Sequence, residues 1–397
     1  MSSLSQRLNQ DVVSHTSKTL AIRNAETSGT LSTESPATVQ IELPQSQEIN
    51  FSEGYVTADL KLTIATDGAS DSLKPGSMSL FKSGRILVGG VPYENVSNIH
   101  VLSRALIETD TDNSGEVHGN WAFGYSGGAV SDAAYVDTFA QVAIKAPFGI
   151  LGYDGLVPLH SLPPVVIELE MNSSAEACLF GTFAAGDKAE IQNIRYHASL
   201  YETTQTHREQ TRAQINSPDG LRIPMTSWSS TSVVASNATE QEFNISSSAR
   251  SAKSVLLVQR AAANINDGDA DMAFVRDNLD TLQLTVGSDS YPNAPMKSSS
   301  EAYLEMMKAR GHSITSPLMG NISRDEYYVS GGKAVYGFNL EKMVSDQATT
   351  GSDLGKNPLR LKLTYSSAPT ASNQIFAFVE RDSQLVIKPN GNVSFVV

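Results

Sequence analysis

Between residues 56 and 64 every second side chain is apolar: Val56, Ala58, Leu60, Leu62 and Ile64 alternate with Thr57, Asp59, Lys61 and Thr63. A period of two is that of a strand with one face in a core and the other in water. The same alternation returns at Val165–Met171, at residues 281–286 and at Leu359–Tyr365, with clusters of Gly, Pro, Asn and Asp between them. Regularly spaced strands with such turns predict a sandwich or barrel. Helical spacing is confined to two short stretches. Ile99, Leu102 and Leu106 share one face of a helix over Ile99–Glu108. Ser298-Ser299-Ser300-Glu301 has capping-box spacing ahead of a helix over 302–310, Lys308 and Arg310 sit at its negative end, and Gly311 suits the left-handed stop.

The pattern also repeats. Val88-Gly89-Gly90-Val91-Pro92-Tyr93-Glu94-Asn95 and Val286-Gly287-Ser288-Asp289-Ser290-Tyr291-Pro292-Asn293 share Val-Gly-x-x-x-Tyr-x-Asn, 198 residues apart (286 − 88). Each copy closes a strand and precedes one of the two helices, and Leu106 falls on Leu304 at the same offset. A second pair of segments, beginning at Pro164 and Pro358, lies 194 residues apart (358 − 164). Collinear matches on strand, turn and helix types read as a duplicated domain. The polar stretch 202–224, with the turn cluster Asn216-Ser217-Pro218-Asp219-Gly220, marks the boundary. The chain therefore divides into an N-terminal arm (1–36), a first barrel (37–205), a linker (206–222) and a second barrel (223–397). Residues 1–36 carry no Phe, Trp or Tyr with which to bury area, which is why they read as an arm.

Composition agrees with two domains. A chain of 397 residues exceeds the size at which one hydrophobic core keeps growing. Its charged fraction of 18% leaves polarity to Ser, Thr, Asn and Gly, and its net charge of −13 repels phosphate. The first 24 residues carry Arg7, Lys18 and Arg23 against Asp11, so contact with an anionic genome or membrane would begin there. A single cysteine, Cys178, precludes an intrachain disulfide, and the sequence shows neither a secretory signal nor an apolar run of spanning length. Synthesis in a reducing host cytoplasm is the expectation. The Asn-x-Ser/Thr sequons at Asn95, Asn172, Asn237, Asn244, Asn321 and Asn392 then carry no glycan.

Two tandem barrels, each with a strand, a glycine turn and a short helix, resemble the double jelly-roll major capsid proteins, the lineage of adenovirus hexon, tectivirus, virophage and polinton-like virus capsids. The segments carrying the likeness are Leu80-Phe81-Lys82-Ser83-Gly84-Arg85-Ile86-Leu87-Val88-Gly89-Gly90, similar to a first-barrel strand and turn, and Leu162-Pro163-Pro164-Val165-Val166-Ile167-Glu168-Leu169-Glu170, similar to a later strand after a Leu-Pro loop. The resemblance implies an all-β fold of two eight-stranded jelly rolls with short helices in the loops. It further implies a structural, non-enzymatic major capsid protein of the virion. Three chains would form a homotrimer, a pseudo-hexagonal capsomer tiling an icosahedral shell. Neighbouring capsomers, minor capsid proteins and vertex (penton) proteins would be its partners, along with an internal membrane or genome reached by the arm, and no small-molecule substrate.

The sequence assigns no catalytic, cofactor-binding or metal-binding residue. Asp110-Thr111-Asp112-Asn113-Ser114-Gly115 begins like a calcium loop, but its twelfth position is Trp121 rather than a closing glutamate. Residues 266–271, Asn-Asp-Gly-Asp-Ala-Asp, read as a solvated acidic loop. A bicupin needs clustered histidines, whereas His15, His100, His118, His160, His197, His207 and His312 are scattered. Cys178 lies in an apolar run and reads as packing. No phosphate loop of the Gly-x-x-x-x-Gly-Lys-Ser/Thr type occurs. Glu168 and Glu170 alternate with Ile167 and Leu169, which places them on the wet face of a strand rather than in a glycosidase cleft. A viral spike or carbohydrate-binding sandwich is the remaining alternative; it would use exposed aromatics such as Trp121 and Trp228, while Tyr93 and Tyr291 read as repeated packing residues.

Overall fold

A computed structural model of the chain describes residues 12–21, 30–45, 47–63, 72–73, 77–109, 137–144, 146–173, 179–180, 186–265, 273–297, 299–312, 322, 327, 332–341, 351–369 and 372–396. Sixteen of the described strands form the sheets of the two barrels. The first uses β1 (Val12–Ala21), β2 (Thr38–Glu42), β3 (Glu48–Thr63), β4 (Phe81–Val88), β5 (Val91–Ser97), β6 (Ala140–Ile144), β7 (Val165–Met171) and β8 (Lys188–Thr203). The second uses β9 (Leu221–Val234), β10 (Glu240–Ile245), β11 (Ala252–Ala261), β12 (Leu279–Val286), β13 (Asp289–Met296), β14 (Val335–Asn339), β15 (Leu359–Tyr365) and β16 (Asn373–Ile387). Helices α1 (Ile99–Glu108) and α3 (Ser299–Ala309) follow β5 and β13, and α2 (Gln205–Ile215) joins the barrels.

In the first barrel the sheets run β1-β8-β3-β6 and β2-β7-β4-β5; in the second, β9-β16-β11-β14 and β10-β15-β12-β13. Each strand thus has its counterpart eight strands later, and the pairs within both barrels are antiparallel. The periodicity explains the layering. Along β15, Leu359, Leu361, Leu363 and Tyr365 are buried while Arg360 and Lys362 face water. Facing sheets close each core: Ile41, Ile86 and Ile167 with Leu60 and Ile191 in one barrel, Leu284 and Leu361 with Phe376 and Phe378 in the other. Helix α3 lies across β14, where a Cβ on Gly337 would come within 2.6 Å of Met306 Cα, and it also packs on β11. Residues 255–258 of β11 are accordingly buried on both faces and show no alternation.

The two sequence matches meet in space. Gly89 donates its N–H to Pro164 O at 2.8 Å in the first barrel, and Gly287 donates to Pro358 O at 3.1 Å in the second. Both glycines sit at positive φ, +60° and +61°, as the tight turn requires. Register agrees as well, with Val88 opposite Val165 and Val286 opposite Leu359. The helices also fall where their spacing places them. Glu301 accepts the N–H of Lys297 at 3.1 Å, and Gly311 and His312 donate to Lys308 O and Met307 O at 2.9 and 3.0 Å, closing α3 on a left-handed residue. Ser298, the other half of the expected capping box, lies outside the described residues.

Three readings need correction. Residues 12–21, taken as part of an arm, form β1 and pair with β8 from Val12↔Thr203 to Ala21↔Arg195; Leu31–Ser32 also pairs with β8. A polar segment without aromatics still satisfies its backbone when a partner strand offers an edge. The linker contains α2, whose N-cap Thr204 accepts from His207 N at 3.3 Å. Glu168 is 4% exposed rather than wet: Arg85 Nε bonds its Oε2 and Gln40 Nε2 its Oε1, the cross-strand neighbours on β4 and β2.

Candidate assembly interface

β5 ends its sheet within the first barrel, but its outer edge does not face water. It meets β9 of the second barrel through a parallel bridge, Asn95↔Ser229. Sheet β2-β7-β4-β5 therefore continues into β9-β16-β11-β14, and with Val393–Val396 on β16 the whole is one nine-stranded sheet.

Side chains lock this joint. Glu94, 1% exposed, accepts the N–H of Trp228 at 2.7 Å and that of Gly149 at 3.1 Å on Oε1 and 3.0 Å on Oε2. Trp228 is on β9 and Gly149 is in the first barrel, so one carboxylate ties both. Burial pushes its pKa up to about 7, against the pull of the Trp228 and Gly149 N–H groups and of the Arg381 charge. The Tyr93 hydroxyl bonds that of Ser383 and lies 3.4 Å from Thr226 O, while its ring tilts against Phe395 at 5.1 Å. Ser97 N–H reaches Ser230 Oγ at 2.8 Å, and Arg381 Nε reaches Ser227 Oγ at 2.9 Å. A Cβ on Gly149 would stand 2.2 Å from Thr226 O, so the approach of the two backbones depends on that glycine.

A second tie spans the barrels. Glu108 at the end of α1 is buried, with Arg104 Nε at 2.8 Å from one oxygen and Lys333 Nζ, just ahead of β14, at 3.2 Å from the other. Removing one member of such a group strands a buried charge, at about 3 to 5 kcal/mol.

The counterpart of β5 is built differently. Among the described residues β13 pairs with β12 alone. Tyr291 stands where β5 has Tyr93, half-buried with its hydroxyl 3.4 Å from Ser352 Oγ. Pro292 stands where β5 has Glu94, and Asn293 and Ala294 are exposed. At the other end of the chain, β1 likewise has a single described barrel neighbour, β8. Among the described residues, then, β5 is joined to β9, while β13 and β1 have no strand on their outer edges.

The residues weighed for chemistry do not converge. His100 is buried on α1 with Nδ1 3.2 Å from Phe81 O. His197 on β8 stacks on half-exposed Tyr55 at 4.6 Å and meets Thr57 Oγ1 at 2.9 Å, its pKa lowered by burial and by Arg195. His207 on α2 sits 3.4 Å from buried Glu48. His160 lies in the short turn Leu159–Ser161, its pKa lowered first by burial. His312 follows α3, and His15 is on β1. Among the described residues no three His, Cys, Asp or Glu gather as metal ligands. His118, Cys178, the loop 110–115, Trp121, residues 266–271 and Asn321 lie outside the described residues. Trp228, weighed as a sugar platform, is 5% exposed in the joint and offers no open face. Asn172 is also buried, donating to Ser79 O at 2.6 Å, whereas Asn95, Asn237, Asn244 and Asn392 are exposed. The joint itself escaped sequence reasoning. Its trace in the sequence was the exchange of Glu94 for Pro292, one of four differences between the two eight-residue copies.

No protein-family model matches the chain, and no curated protein matches its sequence. Its shape does match solved structures. The capsid protein VP54 of the virus PBCV-1, fitted into a reconstruction of the virophage Sputnik, superposes with a TM-score of 0.69 at 10% identity, over 97% of each chain. The Faustovirus major capsid protein gives 0.67 at 10% identity over 95% of this chain and 91% of that one. The mavirus major capsid protein gives 0.53 at 12% identity over 96% and 90%. With the strand order above, these likenesses establish the fold as a double jelly roll.

Proposed function

We propose that this chain is a major capsid protein, three copies of which form a pseudo-hexagonal capsomer that tiles an icosahedral virus shell. The observation carrying this reading is the joint: two barrels of identical strand order lie side by side, edge against edge, in one chain. Three such pairs around an axis make six barrels, so a three-fold oligomer acquires nearly six-fold edges and packs in flat arrays. Likeness of fold to several viral major capsid proteins supports it.

On this reading the protein resides in the virion and is made in the host cytoplasm. Neighbouring capsomers are its main partners, with minor capsid and vertex proteins completing the shell. Contact with an internal membrane or the genome is made through the N-terminal arm. Native mass measurement and imaging of the purified protein test the proposal. Trimers with hexagonal outlines are expected; a stable monomer at high concentration, or an elongated spike, would overturn it.

A further inference from the structure

One stretch of the first barrel departs from the regular sheet. Asn50 of β3 lies opposite Ser199 of β8 and Tyr55 opposite His197, so β3 takes five steps (55 − 50) where β8 takes two (199 − 197). Residues 51–54 therefore stand off the ladder as a long bulge. Bulges are over-represented beside functional sites, where they re-aim side chains. This one burdens the core beneath it. The Tyr196 hydroxyl is fully buried there and, among the described residues, has no hydrogen-bond partner. A Cβ on Gly54 would stand 2.0 Å from that oxygen, so the bulge closes over Tyr196 only because residue 54 has no side chain.

The bulge presents an aromatic ring and a set of fixed polar groups. Tyr55 is 49% exposed, the one aromatic side chain this open among the described residues. Its ring is held in place: it stacks on His197 at 4.6 Å with the planes 13° apart, and His197 is anchored in turn to Thr57 Oγ1 at 2.9 Å. Burial and the Arg195 charge lower the pKa of His197, so the ring under Tyr55 is uncharged at neutral pH. Two residues away, Glu53 accepts the Tyr201 hydroxyl on both carboxylate oxygens, at 2.8 and 2.7 Å. Burial, with Glu53 beside it, pushes that hydroxyl up to about 12, so it remains a donor. Asn50 Nδ2 donates to Glu53 Oε1 at 3.3 Å and to Asp154 Oδ1 at 3.1 Å, while its Oδ1 accepts from Ser52 N and Oγ at 3.1 and 2.9 Å. Ser52, Glu53 and Asp154 are exposed. A carboxylate accepts about four hydrogen bonds, so such groups can be fixed by neighbours and still receive a ligand's hydroxyls.

We propose that this bulge binds a neutral saccharide, one pyranose ring lying on Tyr55 with its hydroxyls bonding to Ser52, Glu53 and Asp154. A pyranose has an apolar C–H face that suits an aromatic plane and a rim of hydroxyls that suits carboxylate acceptors. Platform and acceptors are already ordered by their own contacts, so little conformational freedom is lost when the sugar arrives. Glu53 and Asp154, with the net charge of −13, repel sulfated and phosphorylated glycans, which is why the ligand is neutral. The site lies on the sheet of the first barrel that does not continue into the second. It stands apart from the joint and does not depend on the capsomer reading.

Saturation-transfer NMR with the methyl glycosides of glucose, galactose and mannose, followed by an array of neutral oligosaccharides, tests the site on the purified protein in its native assembly. At least one of these sugars should bind. Tyr55→Ala should weaken that binding at least about ten-fold with the melting temperature unchanged, whereas Tyr55→Trp should retain it. Asp154→Asn alters an exposed residue without touching the ring and should also weaken binding, so the test survives if Tyr55→Ala fails to fold. Val234→Ala, at an exposed apolar position of the second barrel, should leave binding as it is. No binding by any of these sugars, or binding that neither Tyr55→Ala nor Asp154→Asn weakens, would overturn the inference. Native mass of the same sample reads assembly separately: trimers that bind no sugar overturn this inference and leave the capsomer reading standing.

Discussion

β5 and β13 share a sequence pattern, a glycine turn, the first pairs of their hairpin register and a following helix, yet among the described residues only β5 meets a further strand. What separates them is the neighbour. β5 faces the second barrel and carries Glu94 to grip it; β13 carries Pro292 and grips nothing within the chain. Duplication produced two related edges that differ at several positions, Glu94 against Pro292 among them; one joins the barrels, and the other has no described strand beyond it.

Changes at the inner joint should therefore cost the isolated chain more than changes on β13 or away from the joint. The largest belongs to Trp228→Ala, which empties a buried site in the joint and should cost about 3 to 5 kcal/mol in denaturant unfolding, while Asn293→Ala stays within about 0.5 kcal/mol. A loss below about 1 kcal/mol at Trp228 would mean that the joint contributes little to holding the barrels together.

The next effect is one of pH. The folded chain holds the Glu94 proton at about 7, above the 4.5 of a free glutamate. The folded state therefore binds more protons than the unfolded one between these values. Its contribution is fully present below about pH 4.5 and is lost as pH rises through about 7, on the order of 3 kcal/mol in all. Glu94→Gln cannot titrate, so the difference in stability between wild type and variant should change by that amount across the window. A constant difference would refute the buried-carboxylate account.

Gly149→Ala should follow at about 1 to 3 kcal/mol, because its methyl group enters Thr226 O. Gly152→Ala, three residues on and with nothing within 4 Å, should be nearly silent in the same melting experiment. Smallest is the tyrosine pair. Tyr93→Phe removes a buried hydrogen bond worth about 1 kcal/mol, while Tyr291→Phe removes only a 3.4 Å contact and should change stability by less than about 0.5 kcal/mol. Equal losses would erase the distinction between the edges.

Much of the fold was legible because it is local. The alternation over 56–64 lies largely in β3, the face Ile99, Leu102 and Leu106 is in α1, and the shared Val-Gly turn revealed the duplication. β1 was missed because its pairing partner lies in β8, far along the chain, and a polar sequence does not announce an edge strand. Glu168 was misread because its burial comes from Arg85 and Gln40 on neighbouring strands, not from its own strand's period. The joint was invisible for the same reason: Glu94, Gly149 and Trp228 come together only when two finished barrels meet. The difference between Glu94 and Pro292 was in view, but a carboxylate in a strand ordinarily reads as solvent-facing.

The most direct test is an image of the native assembly at a resolution that separates strands. Six barrels around a three-fold axis are expected, with β5 beside β9 inside each copy. A spike or a monomer would contradict the capsomer reading.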